Sequence, residues 1–252
     1  MDRAREHRMR LSGRVVAMAV AGICAAGVAG CGSDDGAAEA FEGESADAIA
    51  AKAVEATRDA DSMRMQGEIS ESGQKASIDL AVDQQSNCEG TVTQDGAKAE
   101  IRHTGNTLYL KGDEAYWQAN LKGQQGSDKI VDKAAGKWVK VPGQEEQLAG
   151  MCDKQKLVAS LDEDKSERKG MKRDGTADVD GTPAVKLTKK SGGETHTLYV
   201  AAEGDPYILK SVVEGGDTPQ STTFSDYGAK VSPEQPSGDE VVDLQEIAGA
   251  SR

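Results

Sequence analysis

The chain has 252 residues, 37% of them apolar and 29% charged, with 43 acidic against 30 basic side chains and a formal net charge of −13. A surface of that sign repels nucleic-acid phosphates and anionic headgroups at long range, which argues against DNA, RNA or polybasic membrane binding. Phe41, Phe224, Trp117 and Trp138 are the only Phe and Trp residues, so the core has to be built from Val, Ile, Leu, Ala and Met.

The first 30 residues have the order of a secretory leader. Arg3, Arg5, Arg8, Arg10 and Arg14 precede an apolar run from Val15 to Val28, which has the length of a signal-peptide core and is too short to span a bilayer unaided. The run ends in Val28-Ala29-Gly30-Cys31, which resembles the lipobox of bacterial lipoproteins. There the thiol receives a diacylglyceryl group and cleavage makes it the first residue. The alternative is an ordinary signal peptide, with Cys31 left as a free thiol. Two acyl chains on one residue meet the requirement for stable anchoring, so the mature protein is expected on the outer, extracytoplasmic face of the cell membrane. Loss of residues 1–30 removes five basic and two acidic side chains and takes the charge from −13 to −16.

Residues 31–44 are small, acidic and Gly-rich, the composition of a flexible tether. Ser45 has the position of an N-cap. From Ala46 onward Ile49, Ala50, Ala53, Val54 and Thr57 recur at helical spacing, which predicts an amphipathic helix ending near Asp61. The period then drops to two. Met63, Met65, Gly67 and Ile69 alternate with Arg64, Gln66 and Glu68, and Ile78, Leu80 and Val82 with Ser77, Asp79 and Asp83, as in half-buried antiparallel strands. Further strands are expected at 90–93, 99–102 and 107–111. Helices are expected at 113–120, 128–135 and 151–161, with Ser127 and Gly136 as caps of the second and the strand-like Trp138-Val139-Lys140-Val141-Pro142 between them. The charged stretch 162–173 reads as a solvated loop or strand edge. Alternation returns at 177–189, 196–200, 207–214 and 220–224, with Asp180-Gly181 a hairpin turn pair. Residues 231–252 form an acidic C-terminal tail.

With Cys24 in the leader and Cys31 assigned to lipid, Cys88 and Cys152 remain. Two cysteines in an oxidising compartment pair as a disulfide, the alternative being two buried thiols. No metal site or cofactor is expected: His103 and His196 lack ligands at i+3 or i+4, and the thiols lack Cys-x-x-Cys spacing. Without a nucleophile elbow, paired-His helix, Walker loop or dinucleotide fingerprint, the chain reads as a non-enzyme.

About nine strands offer more apolar face than one long helix and three short ones hide comfortably. Either the sheet curls over the helices into a complete core, or it leaves an apolar hollow. Ile78, Leu80, Val82, Leu108, Leu110, Leu198 and Val200 are the candidate lining of such a hollow, whose usual volume would be roughly 300–1,000 Å³.

The order of these segments carries a resemblance. The lipobox, the helix ending in Asp61-Ser62, Asn87-Cys88-Glu89-Gly90, Tyr116-Trp117, Gly136-Lys137-Trp138-Val139-Lys140-Val141-Pro142, Asp180-Gly181-Thr182-Pro183 and Phe224-Ser225-Asp226-Tyr227-Gly228 together resemble the LppX/LprG lipoproteins of actinobacterial envelopes, themselves similar to the carriers LolA and LolB. The resemblance implies an α+β fold over residues 45–230, a curved antiparallel sheet forming a U-shaped half-barrel with helices across its concave side. It also implies a pocket for acyl chains of a lipid or glycolipid. Cys88 and Cys152 are not general to that family. The function expected is therefore a membrane-anchored lipoprotein binding a hydrophobic ligand for transfer, storage or sensing. The alternative is an envelope interaction or sensor-accessory protein with a filled core.

Overall fold

The computed structural model describes residues 39–71, 73–124, 126–141, 150–161 and 169–243. The leader, Cys31, most of the expected tether, part of the charged stretch after Leu161 and the last nine residues lie outside them.

Helix α1 (Ala46–Asp59) follows Ser45, whose hydroxyl accepts a hydrogen bond from the Ala48 N–H at 3.2 Å. Its stripe of Ile49, Ala50, Ala53, Val54 and Thr57 is buried, as the spacing predicts. Ile49 alone, with no exposed surface, contributes about 1.5–3 kcal/mol by leaving water. Five strands follow: β1 (Ser62–Glu71), β2 (Gln74–Asp83), β3 (Cys88–Gln94), β4 (Ala97–Thr104) and β5 (Thr107–Gly112). Helices α2 (Glu114–Asn120) and α3 (Ser127–Ala134), strand β6 (Trp138–Val141) and helix α4 (Lys154–Ser160) form the middle of the chain. The second series is β7 (Lys172–Val179), β8 (Thr182–Ser191), β9 (Glu194–Ala201), β10 (Ile208–Glu214), β11 (Gln220–Ser225) and β12 (Val241–Asp243).

All twelve strands join one unclosed, curved sheet in the order β12-β6-β5-β4-β3-β2-β1-β11-β10-β9-β8-β7. Every pair is antiparallel except β6 with β12, which is parallel. The fold is thus the α+β half-barrel expected, with more strands than the alternation suggests. The run 177–189 divides at the Asp180-Gly181 turn, where both residues have positive φ, and its first strand begins earlier, at Lys172. Three residues of the expected tail add the edge strand β12, because Val241 and Val242 lie against Trp138 and Val139.

Three local expectations change. Gly126, in the left-handed region at φ +81°, is the N-cap of α3, and Ser127 is already helical. The third helix breaks into a 3-10 turn at Gly150–Cys152 and α4, because Asp153 accepts from the Lys156 N–H at 3.1 Å and caps a new helix. Phe41 does not trail in solvent. With Ala40 it packs against the core, and Arg173 donates to the Phe41 and Ala40 carbonyls at 3.1 and 2.6 Å.

Two glycines let the strands approach. A Cβ at Gly90 would sit 2.0 Å from the Asp79 carbonyl oxygen, and one at Gly67 would sit 3.0 Å from Thr222 Oγ1. The inner face of the sheet meets the four helices in one core. Its outer face carries Arg64, Gln66, Glu68, Ser77, Thr91 and Glu100. There Arg102 stacks over Trp138 with its guanidinium 4.5 Å from the ring and donates to the Glu234 carbonyl at 3.1 Å, holding residues 233–240 across the edge.

Candidate functional site

The inner face is the candidate site, and it is graded from end to end. Strand register places Val82, Cys88 and Met63 at one end, and Ile69, Ala76, Val213 and Gln220 at the other. At the first end the helices cover the sheet completely. Leu80, Val82 and Val200 have no exposed surface, and Leu110 and Leu108 are 2% and 4% exposed. They belong to the same core as Ile49, Ala53, Trp117, Val131 and Val158 of the four helices. Five of the seven residues proposed to line a hollow are thus in contact with protein. The other two, Ile78 and Leu198, are half-buried, as are Met65 and Val92 beside them. All seven share one face, as their alternation requires.

The covered end is pinned by polar contacts. Lys154, only 1% exposed, directs its ammonium to the Thr57 and Arg58 carbonyls, both at 2.7 Å. These are orphan acceptors at the C-terminal end of α1, where a cation is favoured. Burial lowers the Lys154 pKa, while Asp59 and Asp61 oppose that shift. The Thr57 hydroxyl accepts from the Ile208 N–H at 3.0 Å, and the Tyr227 hydroxyl donates to the Ile208 carbonyl. Tyr227 stacks on Tyr207 with ring centroids 4.1 Å apart, and burial raises its pKa far above the usual tyrosine value. Lys154 and Tyr227 each donate to main-chain carbonyls and so join α1, α4 and β10.

Cys88 and Cys152, both without exposed surface, are disulfide-bonded with Cα atoms 5.4 Å apart. The bond fastens the turn before α4 to β3. Among the described residues no cluster of His, Cys, Asp and Glu could hold a metal ion, and no helix is long and apolar enough to cross a membrane.

Toward the hairpin tips a depression of about 550 Å³ lies mainly on the outer face, lined by Glu68, Lys75, Ser77, Thr93, Glu214 and Ser221 with the edges of Ile69 and Ala76. Ser70 N–H donates to the Pro219 carbonyl at 3.1 Å, and Asp95 N–H to the Lys75 carbonyl at 2.9 Å, so three tips adjoin there. None of the seven expected lining residues takes part.

No protein-family model matches the sequence, and no curated protein matches it. Solved structures do. LprF from Mycobacterium bovis is 18% identical and aligns over 77% of this chain and 97% of its own, with a TM-score of 0.53. The Mycobacterium tuberculosis lipoprotein LppX is 15% identical over 74% of this chain and 96% of its own, with a TM-score of 0.48. The likeness to LprF shows a shared fold, the curved half-barrel with helices on its inner face.

Proposed function

We propose that this protein is a lipid-anchored envelope lipoprotein that holds an acyl-bearing hydrophobic ligand and has no catalytic activity of its own. One observation carries the reading: the apolar inner face outlasts its helical cover. Met65, Ile78, Val92 and Leu198 are half-buried and Ile69 is 38% exposed, beside the small side chains of Ala76, Ser211 and Thr222. An acyl chain laid along that strip would gain about 0.8 kcal/mol per buried methylene. The half-barrel fold shared with LprF and the leader ending in Cys31 support the same reading. The anchor places the domain on the outer face of the membrane, with a lipid or glycolipid as partner.

A second reading, an interaction protein with a filled core, draws on the complete burial of Leu80, Val82 and Val200 against the helices. Native mass spectrometry of the gently purified domain, before and after solvent stripping, separates the two. A lipid adduct lost on stripping supports the carrier. An unadorned mass from every preparation, with no uptake from added lipid, supports the interaction protein. The anchor has its own test: Cys31→Ala should abolish detergent-phase partitioning, and equal retention of that variant in the membrane fraction would sink it.

A further inference from the structure

The outer face of the sheet is polar across β1 to β4, where the register aligns Gln66, Asp79, Thr91 and Glu100. Over β5 and β6 it turns aromatic. Tyr109 lies opposite Arg102 on one side and Lys140 on the other, so it shares the outer face with them. The Arg102 guanidinium is 4.5 Å from the centroid of the Trp138 ring, and the Lys111 ammonium is 5.7 Å from the same centroid. Tyr109 and Trp138 are each only 5% exposed. Neither belongs to the inner core, which takes Leu108, Leu110, Val139 and Val141 from the same two strands.

The segment anchored on this patch is the chain's own residues 233–240. The Glu234 carbonyl accepts from Arg102 at 3.1 Å, and the Glu240 carbonyl from the Trp138 N–H at 3.2 Å. Pro233 and Pro236 are buried, whereas Glu234, Gln235, Ser237, Asp239 and Glu240 are exposed. The patch therefore holds prolines in Pro-x-x-Pro spacing and main-chain carbonyls, and leaves the other side chains of the strap to solvent. Aromatic-lined grooves take proline-rich extended segments by the same chemistry. The carboxylates of Glu234, Asp239 and Glu240 complement the positive charge of Arg102, Lys111 and Lys140.

None of these contacts requires the strap to belong to the same chain. We infer that the patch of Tyr109 and Trp138 is a docking site for an extended, acidic segment of a partner protein carrying Pro-x-x-Pro, and that residues 233–240 occupy it as an intramolecular competitor. A face that had only to be soluble would continue the short polar side chains of Ser77 and Thr91, whereas two large rings there need a cover. Beyond residue 240 only the three residues of β12 pair with the sheet, and a surface segment so held opens locally at low cost. Its tether gives it an effective concentration of roughly millimolar order, which a partner segment has to exceed.

The test uses the full chain and, as probe, a fluorescein-labelled peptide of residues 229–243. Pro233→Ser with Pro236→Ser removes the buried residues of the strap. This double variant should bind the peptide roughly a hundredfold more tightly than the wild type, whose own strap competes, with an unchanged unfolding midpoint. Adding Trp138→Ala, or Arg102→Gln with both rings kept, should remove the gain, as should serine at both prolines of the peptide. Equal uptake by wild type and double variant, or equal uptake of the proline-free peptide, overturns the site. Loss of the fold in the double variant also overturns it, by making the strap an obligatory part of the domain. A wild-type dimer in light scattering that the double variant does not form overturns the partner in favour of strap exchange between two copies.

Discussion

The Lys154 ammonium lies 2.7 Å from the carbonyl oxygen of Thr57, 97 positions earlier in the chain. It joins the last helix to the end of the first, at a point where α1 has acceptors without intrahelical donors. Lys154→Met keeps most of the volume and strands those carbonyls, so a loss of about 2–3 kcal/mol in denaturant-derived stability is expected. The pH dependence has a definite sign. The folded-state pKa lies below the ordinary 10.5 because of burial, so the native state sheds this proton before the unfolded chain does. Between those two values Lys154 makes stability rise with pH. Stability curves of wild type and Lys154→Met should therefore diverge in slope just below pH 10.5, and parallel curves would refute the assignment.

Tyr227 acts with the opposite sign. Burial raises its folded pKa, so above pH 10, the ordinary tyrosine value, the unfolded chain loses the proton first and stability falls as pH rises. In an absorbance titration of phenolate, Tyr227 should ionise only as the protein unfolds. Tyr227→Phe should cost about 1 kcal/mol through the lost bond to Ile208, and should remove one late-titrating group. An unchanged count of late-titrating tyrosines would contradict this.

The bond between Cys88 and Cys152 closes a loop across 64 residues, for which chain entropy gives roughly 4 kcal/mol of stabilisation, an upper figure in practice. The folded and denatured protein should show no free thiol before reductant is added, and its thermal midpoint should fall after reduction. Stoichiometric labelling of the oxidised sample would exclude the bond in solution.

A matched pair of substitutions reads the gradient of the inner face. Val200 has no exposed surface and is enclosed by helix atoms, so Val200→Trp should overpack the core and destabilise by about 1–3 kcal/mol. Leu198, two residues nearer the tips, is half-buried. Leu198→Trp should leave the unfolding midpoint within about 0.5 kcal/mol of wild type while reducing co-purified lipid. Equal destabilisation by both would mean that the face is filled along its whole length.

Arg173 is the clasp of the N-terminal segment. Arg173→Ala should free Ala40 and Phe41 and speed proteolytic cleavage between residues 39 and 45, with little change in global unfolding, because surface contacts open locally at low cost. Cleavage at the wild-type rate would show that the packing of Phe41 suffices alone.

The amino-acid sequence by itself determined the elements and their faces. Alternation in β1 and β2 and the stripe Ile49, Ala50, Ala53, Val54 and Thr57 follow from periods of 2.0 and 3.6, which are local and survive without tertiary information. The cap at Ser45, the turn at Asp180-Gly181 and the pairing of the last two cysteines rest on equally short-range chemistry or on simple counting, whereas the break of the third helix at Asp153 was not expected. Tertiary structure alone decided how far the helices reach across the sheet. That choice turned Leu80, Val82, Leu108, Leu110 and Val200 into packed core and left Ile78, Leu198 and Ile69 toward solvent, although all eight carry the same apolar signal. It also drew Phe41 onto the body through Arg173 and made an edge strand of Val241–Asp243, contacts that span more than a hundred residues. Periodicity tells which side of a strand is apolar, but what covers that side depends on the closure of long loops and the curl of twelve strands, and no window of sequence contains both partners.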